Sequence, residues 1–209
     1  MKSVVLLFLV LLGIYVPQAQ SQEKPVDTGL GDCVDFVIYG SPTLTTQVNS
    51  TDFQFLYGPG SYLDKPGKKV YVSNYTCSPN NLAGLNYAVA QVAHEMGHLY
   101  LDQGWPLGTR ADYIEKACTN EGLAVLNNVT ARNEIIATSE NTVDIGLAAA
   151  NSTELLAVIA GGGANLAKRV GDTFCDGNVA STTGENYKIY YGKEYDTIYG
   201  TEPDPKGEE

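Results

Sequence analysis

The stretch Ala93-His94-Glu95-Met96-Gly97-His98-Leu99 contains the pattern His-Glu-x-x-His and the only two histidines of the 209-residue chain. On a helix, positions four apart differ by only about 40° around the axis, so His94 and His98 share one face. Two neutral imidazoles in this arrangement can bind one Zn²⁺ and leave Glu95 to act on a water at the metal. The motif therefore predicts one catalytic zinc ion, held by His94 and His98, with Glu95 as the general base.

A helix from Leu82 to Leu101 is predicted around this motif. Asn81 and its neighbours provide side chains that can cap a helix, and Gly104 is expected to end it. The apolar residues recur at spacings of four and three, which indicates one buried face: Ala88, Val92, Met96 and Leu99. Gly97 costs about 1 kcal/mol relative to alanine inside a helix, so we expect it to serve the close approach of another segment.

Three short segments before this helix predict strands, because they are β-branched and aromatic or alternate apolar with polar residues: 33–39, 53–57 and 69–75. After the helix, the chain is predicted to be helical over residues 111–129 with a continuation to 139, over 141–160 and over 164–170. The expected fold is therefore α+β, with a small antiparallel sheet of three or more strands packed on the motif helix and a mainly helical C-terminal half.

Tyrosines crowd the segment 187–199 near the C-terminus. Five of its thirteen residues are tyrosine: Tyr187, Tyr190, Tyr191, Tyr195 and Tyr199. Their alternation with other residues is partial, which leaves a strand or an ordered loop as the prediction.

The first 21 residues predict a secretory signal peptide. Lys2 supplies a positive charge, residues 4–16 are almost entirely apolar, and Ala19-Gln20-Ser21 offers small residues at the two positions that a signal peptidase reads. Residues 22–200 are expected to form a single domain, and the acidic tail 201–209 is expected to be disordered. The prediction is a secreted or periplasmic protein with no membrane insertion after signal cleavage.

Composition limits the partners and the compartment. The net charge of −11 argues against nucleic acid or an anionic membrane surface, because both would be repelled. Four cysteines predict two disulfides in an oxidising compartment, with all three connectivities open: Cys33, Cys77, Cys118 and Cys175. Four Asn-x-Ser/Thr sequons are compatible with a eukaryotic glycoprotein and leave a bacterial source open: Asn49, Asn74, Asn128 and Asn151.

A third zinc ligand has to be a carboxylate or a cysteine, because the chain has no third histidine. The segment Asn120-Glu121-Gly122-Leu123-Ala124 follows the motif, with 22 residues between His98 and Glu121. Together the two motifs resemble the gluzincin branch of the zincin metallopeptidases, where His-Glu-x-x-His is followed by Asn-Glu-x-x-Ala. The resemblance covers about 35 residues and implies a zincin-like fold with Glu121 as a zinc ligand. It departs at Val125, where many gluzincins carry an aspartate that orients a histidine, so another acceptor is expected.

Asp112 is the rival third ligand. The stretch Gly108-Thr109-Arg110-Ala111-Asp112 resembles the Gly-Thr-x-x-Asp segment of aspzincins such as deuterolysin, in which the aspartate binds zinc. Glu115-Lys116 stands where that motif has Tyr-Gly, and the separation from the histidines is longer than in that family. Glu134 and Asp102 are the other carboxylates considered.

The gluzincin resemblance implies hydrolysis of a peptide or protein substrate by a zinc-activated water. A tyrosine is the expected donor to the oxyanion, with Tyr100, Tyr113 and the 187–199 group as candidates. Zincin architecture also implies that residues 69–75 accept an extended peptide as an edge strand. Two alternatives stay open: a catalytically inactive binding or inhibitor protein on a zincin scaffold, and an exported toxin or effector peptidase acting on cell-wall peptides.

Overall fold

A computed structural model describes residues 26–104 and 108–200. The predicted signal peptide and the predicted acidic tail lie outside these residues. The described chain is α+β, as predicted, and consists of a three-stranded sheet and seven helices. In chain order these are α1 (Asp32–Tyr39), α2 (Pro42–Ser50), β1 (Gln54–Gly58), β2 (Tyr62–Asp64), β3 (Lys69–Ser73), α3 (Leu82–Leu101), α4 (Arg110–Thr138), α5 (Ser152–Ala160), α6 (Leu166–Gly177) and α7 (Tyr187–Tyr199).

The sheet is mixed, which corrects the prediction of an antiparallel sheet. Its strand order is β1-β3-β2, with β3 parallel to β1 and antiparallel to β2. The short β2 pairs with one side of β3, and β1 pairs with the other side. Val70 and Val72 of β3 are fully buried, because alternate side chains of a strand face the core. The prediction that residues 69–75 offer a free edge is therefore wrong, since β3 is central and β2 forms an edge.

Residues 32–39 form helix α1, so the strand predicted at 33–39 is wrong. Its buried residues, Val34, Val37 and Ile38, follow helical spacings of three and four. Asp32 and Asp35 lie in the first turn, where negative charge stabilises a helix N-terminus. The β-branched content favours a strand locally, but packing against α2 and α3 stabilises the helix.

The motif helix α3 has the predicted bounds, Leu82–Leu101, and the Asn81 side chain accepts a hydrogen bond from the Gly84 amide at its start. The helix predicted at 111–129 and its continuation are one helix, α4, over Arg110–Thr138. The short helix predicted at 164–170 is α6, which is longer and covers Leu166–Gly177. These three helices provide the framework of the site described below.

Only part of the helix predicted at 141–160 exists, namely α5. The preceding segment is irregular because the Asn128 side chain binds its backbone: Asn128 accepts from the Ala148 amide at 2.9 Å and donates to the Gly146 carbonyl at 3.3 Å. Such side-chain bonds replace the hydrogen bonds that a helix would make. Asn128 is also only 1% exposed, so its sequon is closed to a glycan in the folded chain.

The tyrosine-rich segment is helix α7, which corrects the prediction of a strand or loop. Tyr187, Tyr191, Tyr195 and Tyr199 recur every fourth residue and therefore share a helix face. Tyr191 and Tyr195 are buried in a cluster that also contains Tyr113 of α4. The spacing of four was the sequence signal for this helix, and the aromatic content obscured it.

Close contacts between helices depend on glycines. At Gly97, a Cβ atom would lie 2.5 Å from Ala124 Cα, so α3 and α4 cross where the sequence predicted a close approach. At Gly171, a Cβ atom would lie 1.8 Å from the Cys118 carbonyl oxygen, so α4 and α6 are equally close. Helix α4 is therefore held between α3 and α6.

Gly97→Ala is expected to lower the free energy of unfolding by about 1–3 kcal/mol, because the new methyl group meets backbone that cannot move alone. Gly161→Ala is the control, since a Cβ there meets only ordinary contacts, at 3.4 Å or more. Urea unfolding of both metal-free variants measures the difference. Equal stability of Gly97→Ala and the parent chain would contradict the tight crossing.

Both predicted disulfides are present and their pairing is now defined: Cys33–Cys77 and Cys118–Cys175. The first connects α1 to the segment before α3, and the second connects α4 to α6. Two disulfides fit an extracellular or otherwise oxidising environment. Within residues 26–104 and 108–200, no helix is both long enough and apolar enough to cross a membrane.

Candidate metal centre

The two histidines of α3 and one glutamate of α4 meet where these helices cross. His94 Nε2 lies 3.1 Å from Glu121 Oε2, and His98 Nε2 lies 3.3 Å from the same oxygen. One ligand atom from each of the three residues falls within 4.8 Å of the others, so this group could hold a metal ion. The crossing at Gly97 makes this possible, because it brings α4 against the turn of α3 that carries both imidazoles.

These distances can be compared with those of a zinc site. In a tetrahedral site with zinc–ligand distances of about 2.0–2.1 Å, neighbouring ligand atoms lie about 3.3–3.4 Å apart. The separations of 3.1 and 3.3 Å at Glu121 Oε2 are close to that edge length. Two imidazole nitrogens and one carboxylate oxygen are also a donor set of known catalytic zinc sites. The residues present could therefore hold a metal ion.

Asp102, the residue that follows the last turn of α3, orients His98. Its Oδ1 atom accepts from His98 Nδ1 at 3.1 Å, which directs Nε2 towards Glu121. Burial alone lowers the pKa of His98, but the charge of Glu121 and the hydrogen bond to Asp102 raise it well above its usual value. Val125 has no side-chain atom that could accept a hydrogen bond from a histidine. Asp102, four residues after His98, provides that acceptor instead.

Tyr191 of α7 orients Glu121. Its hydroxyl donates to Glu121 Oε1, while Oε2 faces the two imidazoles. Glu121 is only 2% exposed. Burial by itself raises the pKa of Glu121, but His98 and His94 outweigh burial and lower it below the usual range. The carboxylate is therefore charged and held in one orientation.

His94 has fewer partners than His98. Its ring stacks on Phe174 of α6, with centroids 5.3 Å apart. Its Nδ1 atom is buried and has no hydrogen-bond partner among the residues that the structure describes. Its polar contact within those residues is the one from Nε2 to Glu121.

The rival carboxylates have other roles. Asp112 lies in the first turn of α4 and forms a capping box with Thr109, away from the histidines. Glu134 accepts hydrogen bonds from Ser41 and Thr43 at the start of α2. Neither belongs to the His94–His98–Glu121 group.

No protein-family model, curated protein or solved structure matches this chain. A metal centre is therefore inferred from the contacts of His94, His98 and Glu121 and from the cleft that they line.

Glu95 lies beside the centre and is 4% exposed. The Ser61 hydroxyl, just before β2, donates to Glu95 Oε1 at 2.6 Å. Burial raises the pKa of Glu95, and the two neighbouring histidines oppose that shift. A carboxyl group with a raised pKa and one fixed oxygen is suited to accept and return a proton.

A cleft of about 280 Å³ is lined by the four predicted site residues, His94, Glu95, His98 and Glu121. The cleft is also lined by β2 with the residues that flank it and by residues of α7. Residues 180–182, between α6 and α7, complete the lining, and Ser181 donates to the Ser61 carbonyl oxygen at 2.8 Å.

Among the tyrosine candidates, Tyr187, Tyr190 and Tyr191 line the cleft. Tyr100 is instead exposed and donates to the Gln47 carbonyl oxygen, and Tyr113 is buried in the α4–α7 cluster. Burial, reinforced by Glu121 and Glu95, raises the pKa of Tyr187 far above its usual value. Its hydroxyl therefore stays protonated and remains a hydrogen-bond donor.

The sequence did not reveal that Ser61, Asp102 and Tyr191 orient Glu95, His98 and Glu121, respectively. Asp102 had a sequence signal, since a position four residues after His98 shares its helix face. Ser61 had none, because its contact with Glu95 spans 34 residues of sequence.

Proposed function

We propose that the chain is a secreted zinc-dependent metallopeptidase of the gluzincin type, with His94, His98 and Glu121 as zinc ligands. The single observation that carries the proposal is the convergence of these three side chains on one point beside Glu95, at a cleft. A zinc ion held by these three residues would supply a water with a pKa of about 7 and would polarise the scissile carbonyl group.

In this proposal Glu95 would accept a proton from the attacking water as its oxygen adds to the scissile carbonyl carbon. It would transfer that proton to the amine as the C–N bond breaks. Ser61 holds Glu95 Oε1 through a hydrogen bond, so the other oxygen is available for the proton. Glu95 is almost fully buried, which excludes bulk water that would otherwise compete for the proton.

Tyr187 and Tyr190 are the proposed donors to the carbonyl oxygen as it gains negative charge, because both line the cleft beside Glu95. Tyr191 is excluded from this role since its hydroxyl donates to Glu121. We further propose that an extended peptide pairs with β2, whose outer edge lies next to the cleft, in place of the central β3.

The direct test is to incubate the purified chain with a mixture of unlabelled peptides and to detect new termini by mass spectrometry. We expect cleavage by the zinc-loaded protein, none after chelation, and recovery when zinc is returned. Tightly bound zinc without cleavage of any peptide or protein would contradict the peptidase and favour the binding or inhibitor protein on the same scaffold.

A further inference from the structure

The charges around the cleft balance except at one residue. With a divalent ion bound, Glu95 and Glu121 are compensated, and the Lys65 ammonium lies 2.8 Å from Asp102. Glu194 of α7 also lines the cleft, but in the described part of the chain it forms no ion pair with a lysine or arginine. When ionised, Glu194 therefore places an unpaired negative charge in the cleft, which a cationic ligand would neutralise.

Glu194 is half-buried at the cleft and therefore partly removed from water. The Tyr113 side chain is near enough to influence the Glu194 carboxylate. Burial raises the pKa of Glu194, and the hydrogen bond from Tyr113 opposes that shift. A half-buried carboxylate without a cation gains more from an incoming positive charge than a fully solvated one.

The residues next to Glu194 suit a cationic side chain. Tyr187, Tyr190 and Glu194 are spaced by three and four residues, so they lie on one face of α7, and all three line the cleft. A tyrosine ring attracts an ammonium or guanidinium group over its face. Tyr191, whose hydroxyl donates to Glu121, is less than one helical turn from Glu194. The residues of α7 that line the cleft therefore begin next to the metal centre.

We propose that Glu194, with Tyr190 beside it, selects substrates that carry a lysine or arginine side chain close to the scissile bond. The inference rests on the proposed peptidase function and adds its substrate class. Lysine or arginine binds by placing its charged group at the Glu194 carboxylate and its methylene groups along the rings of Tyr187 and Tyr190. An acidic side chain at the same position is repelled.

The test uses the zinc-loaded full chain and peptides that differ at one residue. Lysine, glutamine or glutamate is placed at each of the two positions on either side of the cleaved bond, and kcat/KM is measured for each peptide. At one of these positions we expect lysine to exceed glutamine by about tenfold and glutamate to be the poorest. Glu194→Gln, which keeps the size of the side chain and removes its charge, should bring the lysine-to-glutamine ratio close to one.

Glu154→Gln is the matched control, because it removes the same charge from an exposed position in the first turn of α5. It should keep the full preference for lysine, and Glu194→Asp should keep most of it. Cleavage without a lysine preference, or a preference that survives Glu194→Gln, would overturn the proposal while leaving the peptidase intact. If no peptide is cleaved, the peptidase fails instead. Calorimetric binding of the same peptides to the zinc-loaded chain then decides the charge preference by itself.

Discussion

Glu95→Gln is expected to reduce kcat for peptide hydrolysis by about 10²–10⁴-fold while zinc stays bound. The substitution keeps the size of the side chain and an oxygen that can accept from Ser61, but it removes the group that takes the proton. The zinc ligands are unchanged, because Glu95 lies outside the group of three donors. Steady-state kinetics and elemental analysis of the same sample measure both quantities.

The control for this variant is Glu154→Gln, which changes the net charge equally at an exposed site remote from the cleft. Its kcat should match that of the parent chain. Full activity of Glu95→Gln would remove Glu95 from the role of general base. Loss of zinc together with activity would place Glu95 among the residues that hold the metal.

Glu121→Gln is expected to weaken zinc binding by more than about 100-fold. Loss of a residue that orients a metal ligand, without binding the metal itself, typically costs about 10–100-fold in metal affinity. Glu121 is itself a proposed ligand, so its loss should cost more. The amide keeps the volume of the side chain and can still accept from Tyr191, so the fold should be retained. Competition with a chromophoric chelator measures the affinity.

Asp112→Asn is the matched variant for the rival ligand. It weakens the capping box at the start of α4 and so lowers the stability slightly, but it should leave zinc affinity unchanged. The opposite result, with zinc lost in Asp112→Asn and kept in Glu121→Gln, would reverse the choice of third ligand and favour the aspzincin resemblance.

The motif helix was predictable because its signals are local. The histidine spacing, the apolar stripe and the cap at Asn81 lie within one segment, and the structure has the helix with the same bounds. For the third carboxylate the sequence left Glu121 and Asp112 as candidates, and the resemblance of the short motif at Glu121 to that of the gluzincins favoured Glu121. The structure brings its carboxylate between the two imidazoles.

The errors occurred where tertiary packing outweighs local preference. Residues 32–39 have a strand-like composition, but three buried residues at helical spacing pack α1 on its neighbours. In α7, aromatic content suggested a strand or an ordered loop, although tyrosines at every fourth position share one face of a helix that packs against α4 and α6. In both segments, burial of one helical face determined the conformation.

By itself, the sequence determined the pair of imidazoles on one helix face, the carboxylate motif that follows, and the presence of two disulfides. Only the tertiary structure decided which carboxylate meets the imidazoles, how the cysteines pair, and that Asp102, Tyr191 and Ser61 orient the site. The physical reason is the difference in sequence range between local and tertiary interactions. Helical periodicity acts over a few residues, whereas the contacts that complete the site join segments 70 residues apart, as between Tyr191 and Glu121.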